Sequence, residues 1–342
     1  MDGDRLKTAA GFVAAVALLV VIVWYIGFDE VVAALLRGDP GVAALTLPVA
    51  VVWLSAWGLS LYTVLGALGA PIRPHKAVFV FTAAVFSNNI TPFGQAGGEP
   101  VSAMFISSAS DSEYETGLAA IASVDTLHFI PSLAVATVGL GYVAVTAAEF
   151  TQDLVFAVAA AAALAAVVPT VGYLVWRFRE RLQRVVVDRL GPGIQFLGRV
   201  TPVASAPSRA VIQKRVEGFF SSVGRVASDR RALVTAMSLS ALGWVCLSTS
   251  LWLSLAALGH VIPFLSILFV VPIGSIAGVT PFPGGLGGIE AAFVTLLLPL
   301  GVPAEVATAA VLIHRGATYW LPTAFGGGAA FVLSTQARRA RQ

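Results

Sequence analysis

Charged residues are spaced so that the chain falls into long apolar runs separated by short polar joints. A helix needs roughly 20 apolar residues to cross a bilayer. Six runs meet that need: Thr8 to Phe28, one within Pro40 to Ile72, Thr116 to Val145, Leu154 to Trp176, Ala232 to Leu258, and Val306 to Leu333. The first run is longer than the ~7–15 apolar residues of a secretory signal and has no small-residue cleavage site after it, so it reads as a retained helix.

Two further apolar regions are interrupted. Ala77 to Phe105 is broken by Asn88-Asn89, Thr91-Pro92-Phe93-Gly94 and Gly97-Gly98-Glu99-Pro100. Phe264 to Leu300 is broken by Pro272 and then by Thr280-Pro281-Phe282-Pro283-Gly284-Gly285-Leu286-Gly287-Gly288. Each half is too short to cross the ~30 Å of hydrocarbon as a helix. The pattern predicts two re-entrant hairpins, tolerated at membrane depth where protein or water covers the turn. A pair of kinked ordinary helices is the alternative reading.

Composition agrees with this division. Of the 342 residues, 57% are hydrophobic and 11% charged, against about 25% charged in soluble domains. A soluble enzyme, a disordered tail and a fibrous protein are excluded. The single cysteine, Cys246, permits no intrachain disulfide. The net charge of +3 gives no basic cluster of the kind nucleic-acid binding requires.

The positions of the basic residues predict orientation. With six spans, 19 of the 21 Lys and Arg fall on one side, Arg37 falls on the other, and Arg315 lies at membrane depth. The positive-inside rule then makes both termini and residues 177–231 cytoplasmic. Within 177–231, Ile212, Val216, Phe219, Phe220, Val223 and Val226 share one helical face. That face fits a helix lying on the membrane interface or a small cytoplasmic helical pair packed on itself.

The interrupted regions also resemble each other. Thr91-Pro92-Phe93 followed by Gly97-Gly98-Glu99 matches Thr280-Pro281-Phe282 followed by Gly287-Gly288-Ile289-Glu290, at an offset near 190 residues. The same offset aligns Glu115 with Glu305 and Asp125 with Arg315. Each unit reads helix, hairpin, helix, and an odd number of crossings separates them, so the second is inverted. The expectation is an all-α, polytopic transmembrane bundle in one integral-membrane domain. It has about six spans plus two half-helix hairpins, with units at about 41–146 and 231–334. Inverted repeats with broken helices are a recurring transporter plan, with substrate handled where the broken helices meet.

Four charged side chains fall at membrane depth: Glu99, Asp125, Glu290 and Arg315. A charge at the bilayer centre costs at least ~2.5–3.5 kcal/mol, so these groups should pair or line a polar cavity. Ion pairs that only brace helices satisfy that need. So does a cavity in which Arg315 meets an anionic headgroup, since its planar fork donates two bonds to a phosphate. Gly284, Gly285, Gly287 and Gly288 precede a half-helix whose free N–H groups offer a second anion device, unless Glu290 in that first turn satisfies them. Pro281 and Pro92 mark the two turns. Asp125 and His128, three apart, share a helix face, as a proton relay, a metal half-site or a packed polar pair would. No dinucleotide, P-loop or hydrolase-nucleophile motif occurs, and the sequence points to no cofactor and no metal.

The segment Pro281 to Glu290, with Arg315 some 25 residues on, resembles the lysylphosphatidylglycerol synthase transmembrane family, also called flippase-like membrane proteins. Pro92 to Glu99 is similar to that family's first-half motif, and the resemblance covers nearly the whole chain. It implies movement of a lipid or lipid-linked sugar between leaflets, with membrane lipids as partners. Archaeal relatives tied to dolichol-phosphate sugars imply a polyprenyl-phosphate substrate, with a phospholipid as the other candidate. Full-length synthases add a cytosolic aminoacyl-transferase domain. Here only Gln336 to Gln342 follows the last span, so synthase activity is not expected. A membrane enzyme acting on a lipid-phosphate headgroup and a non-transporting subunit of a cell-envelope complex are the competing readings.

Overall fold

A computed structural model describes residues 27–91, 95–146, 228–278, 280 and 282–339, with isolated positions in the polar connection (170, 174, 177, 178, 181 and 224–226). The predicted first and fourth spans, and most of residues 177–231 with their amphipathic helix, lie outside the described residues. All regular structure among the described residues is helical.

Helix α1 (Phe28–Arg37) is short, and its Val31 and Ala34 pack on Ala309. Asp39 caps α2 (Pro40–Ala44) by accepting from Gly41 N–H and Val42 N–H, and its own N–H bonds Ala257 O at 2.7 Å. The first unit follows: α3 (Thr46–Ala67), α4 (Pro74–Ile90), α5 (Gln95–Ser110) and α6 (Tyr114–Thr146). Pro74 opens α4, where a missing N–H costs nothing. The second unit begins with α7 (Arg230–Ala257), capped by the Asp229 carboxylate on Ala232 N–H. It continues through α8 (Phe264–Ser275), α9 (Gly288–Leu297), α10 (Ala304–Arg315) and α11 (Leu321–Arg339).

Four of these segments are long and apolar enough to cross a membrane: Pro40–Ala67, Tyr114–Thr146, Arg230–Ala257 and Pro283–Leu300. The first three coincide with predicted spans. The fourth lies inside the second interrupted region and is broken at Gly287, where α9 begins. At 1.5 Å per residue, α4 and α5 each reach about 25 Å, and α8 and α9 about 15–18 Å. The last predicted span is not one regular helix: Gly316–Trp320 forms a π-helical turn between α10 and α11.

Packing between the units is reciprocal. The first helices, α3 and α7, pack along each other at the centre, where Trp57 Nε1 donates to Ser240 O at 3.2 Å and Trp57 lies against Gly243. The first hairpin helix of each unit then packs along the last helix of the other: α4 on α11, and α8 on α6. Both crossings use a glycine. Gly326 lies against the backbone of Thr82, and Gly139 against that of Phe269. In lipid, apolar surface gains nothing by burial against a neighbour, so close backbone approach through small residues carries more of the association.

Candidate functional site

The end of α4, the turn before α9 and the π turn after α10 meet at one place. Arg315 ends α10 and is buried there, 11% of its side chain exposed, against Glu290 with 5% exposed. Its Nε donates to Glu290 Oε1 at 2.6 Å, and Nη2 donates to Gly284 O at 3.3 Å. The guanidinium also lies 4.4 Å from the ring centroid of Tyr319, one helical turn on. An arginine over an aromatic face gains from the ring quadrupole. The guanidinium has five N–H groups. Those beyond the two named bonds have no hydrogen-bond partner among the described residues.

Glu290 does two jobs at once. Oε1 accepts from Arg315, and Oε2 accepts from Gly287 N–H at 2.6 Å. Gly287 precedes the first residue of α9, so the carboxylate satisfies a free donor at the helix start and complements its dipole. The anion position at this half-helix is thus filled by the protein's own side chain.

The glycines have a different role from an open cradle for a headgroup. Gly284, Gly285 and Gly287 have φ of 57°, 68° and 82°, the left-handed region that glycine enters without steric cost. A Cβ at Gly284 would meet the Tyr319 ring and the Asn89 backbone, and one at Gly285 would lie 2.6 Å from Gly278 Cα. One at Gly288 would lie 2.9 Å from Ala277 O. These positions are closed by protein, so the expected headgroup approach to the glycine backbone is not available there. The glycines allow the turn to fold tightly against α4 and the π turn.

The first hairpin joins the site through residues that the motifs did not single out. Tyr319 Oη donates to Asn89 O at 2.9 Å, and Asn89 Nδ2 donates to Thr323 Oγ1 at 2.8 Å. The available signals were the Asn88-Asn89 pair inside an apolar run and the position of Tyr319, four residues after Arg315 on one helix face. Pro92 and Pro281 lie outside the described residues.

Glu99 and Asp125 do not join Arg315. Glu99 lies on α5 and Asp125 on α6, two helices that pack together, and neither forms an ion pair with Arg315 among the described residues. His314 turns away from the site and bonds Ser250 Oγ through Nδ1 at 3.0 Å.

Residues 11–326 match the family model described as the lysylphosphatidylglycerol synthase TM region. The chain belongs to this family. Among its relatives, a UPF0104 membrane protein of Methanothermobacter thermautotrophicus is 25% identical over 94% of this chain and 92% of the relative. Another, from Pyrococcus horikoshii, is 23% identical over 91% of this chain and 93% of its own length. A third, from Methanocaldococcus jannaschii, is 21% identical over 90% and 89%. In this member of the synthase TM-region family, the segment that prompted the resemblance is the one that holds Arg315. The chain is a multi-pass, all-α membrane protein.

Proposed function

We propose that this protein moves a lipid or lipid-linked sugar between the leaflets of the cell membrane and holds the headgroup phosphate at Arg315. The carrying observation is the place of that guanidinium: buried where both interrupted regions meet the π turn, with N–H groups left over among the described residues. Broken helices meeting at a polar point are where membrane carriers handle substrate. A π turn in a helix often accompanies function.

The geometry offers a switch between an internal and an external anion. A phosphate arriving at Arg315 competes with Glu290 for the fork. Taking both Nε and Nη makes a bidentate contact, which is stronger than a single charged bond. Glu290 then gives up Arg315 through Oε1 and keeps the Gly287 N–H through Oε2. Release of the phosphate restores the internal pair. No bond in the substrate is made or broken, so this reading needs no catalytic residue. A polyprenyl-phosphate-linked sugar and a phospholipid both present the required group.

The test is reconstitution in vesicles with fluorescent polyprenyl-phosphate sugars and phospholipids, followed by measurement of exchange between leaflets. The expected result is movement of at least one lipid by the wild type and loss of it in folded Arg315→Gln protein. Normal movement by that variant, or no movement of any lipid by the wild type, overturns the reading. Headgroup turnover without movement would instead favour a membrane enzyme.

A further inference from the structure

The first unit holds a second polar site that the phosphate reading does not use. Asp125 on α6 has a buried carboxylate oxygen, Oδ2, with no hydrogen-bond partner among the described residues. His128, on the same face of α6, is only 4% exposed, and among the described residues neither ring nitrogen has a partner. Its ring stacks on Trp57 at 4.1 Å between centroids, and its backbone carbonyl accepts from Trp244 Nε1 at 3.0 Å. The His128 side chain is thus walled by aromatic surface while its own nitrogens stay unsatisfied. Buried polar groups without partners are rare in folded proteins, and each calls for an explanation.

The repeat sharpens the point. Glu99 and Asp125 stand at the positions that Glu290 and Arg315 occupy in the second unit, at offsets of 191 and 190 residues. In the second unit a carboxylate faces a guanidinium and the charges cancel. In the first, both positions carry carboxylates, so no cation stands where Arg315 stands in the second. Two like charges at membrane depth are costly without a counter-charge. Among the described residues, the helices packed on α6 supply none close by. Glu99 is the titratable residue of α5, Tyr62 that of α3, and α8 has none. In α7 they are Arg230 and Arg231, at its first two positions, and Cys246. His128 is the further titratable group on the same face of α6.

We propose that Asp125, with Glu99 on the adjoining α5 and His128 three residues on, is a proton-binding site in which the proton takes the place that the guanidinium fills in the second unit. A proton fits better than a metal ion. Among the described residues, no three His, Cys, Asp or Glu side chains converge closely enough to hold a metal, whereas a proton needs one acceptor atom at a time. Glu99 is half-buried and gives the site its exchange with water. His128, deeper in the helix packing, is a second acceptor. Resting on the lipid-movement reading, proton uptake and release at Asp125 is the event that biases lipid movement, since the hairpin carrying Glu99 also carries Asn89, which Tyr319 holds at the phosphate site.

The full chain is tested by infrared difference spectroscopy across a pH titration, in lipid vesicles without substrate. The wild type is expected to show a protonated-carboxyl band that disappears as the pH rises. Asp125→Asn, which mimics the protonated side chain in shape and charge and so should fold, is expected to lose the band. Glu99→Gln is expected to keep it and change the pH at which it disappears. A spectrum unchanged by Asp125→Asn overturns the proton site. In a second measurement, an imposed pH gradient is expected to skew the lipid distribution between leaflets with wild type but not with Asp125→Asn. Equal response of the two proteins overturns the coupling. If the wild type moves no lipid at all, the lipid-movement reading and the coupling fall together, and the spectra alone decide whether Asp125 binds a proton.

Discussion

The Tyr319 hydroxyl donates to the carbonyl oxygen of Asn89 across 230 residues of sequence, at 2.9 Å. This bond ties the π turn of the last helix to the end of α4. The same tyrosine carries the Arg315 guanidinium on its ring, so one side chain couples the first hairpin to the ion pair of the second. Tyr319→Phe keeps the ring and removes the bond. The expected loss is about 0.5–1.5 kcal/mol of stability, read by unfolding in mixed micelles, with a slower lipid exchange than wild type.

Arg315 and Glu290 form a buried pair, and breaking one partner strands the other. Arg315→Gln and Glu290→Gln should each cost about 3–5 kcal/mol. The double variant Arg315→Gln, Glu290→Gln should cost much less than their sum, because no unpaired charge is left. A thermodynamic cycle on the four proteins measures the coupling. Additive losses would mean that the 2.6 Å contact contributes little.

Arg315→Lys separates charge from shape. The ammonium retains the attraction to Glu290 but loses the planar fork and most of its stacking on Tyr319. The expected outcome is a folded protein with near-normal gel-filtration behaviour and strongly reduced lipid exchange. Exchange at the wild-type rate would show that a point charge suffices.

The glycines of the second turn differ in kind from those on helices. Gly285→Ala places a side chain at φ 68° and within 2.6 Å of Gly278 Cα. The backbone strain alone is about 1–2 kcal/mol, and the clash adds to it. Gly66→Ala, in the last turn of α3 with open space around its Cβ position, should instead be neutral or stabilise by up to about 1 kcal/mol. Thermal melting of both variants in one detergent makes the comparison.

The charge distribution predicts a cytoplasmic location for residues 177–231. After Cys246 is replaced, a cysteine introduced at Ser208 should react with a membrane-impermeant thiol reagent only after the cells are opened. Labelling on intact cells would reverse the orientation.

Membrane character and the positions of three spans were legible in the sequence because each depends on local composition. A run such as Ala232 to Leu258 is driven into the bilayer by its own apolar length, and helix α7 (Arg230–Ala257) follows it closely. Asp229 sets a helix start through a bond within one turn and Pro74 through its fixed φ, both local effects. Glu290 was readable as a cap for its own half-helix for the same reason.

The choice of partners was decided by the tertiary structure. Sequence placed Asp125 and Arg315 at equivalent repeat positions but gave no distance between them. The fold gives Arg315 to Glu290 and leaves the Asp125 Oδ2 without a hydrogen-bond partner among the described residues. Nor did the apolar run Val306 to Leu333 reveal the π turn at Gly316–Trp320, since a π turn and a regular helix share the same composition. The closed packing of Gly284 against Tyr319 and Asn89 likewise depends on where two helices distant in sequence cross. Insertion free energy is summed along a segment and so can be read from it. Pairing free energy belongs to side chains that meet only when the segments pack.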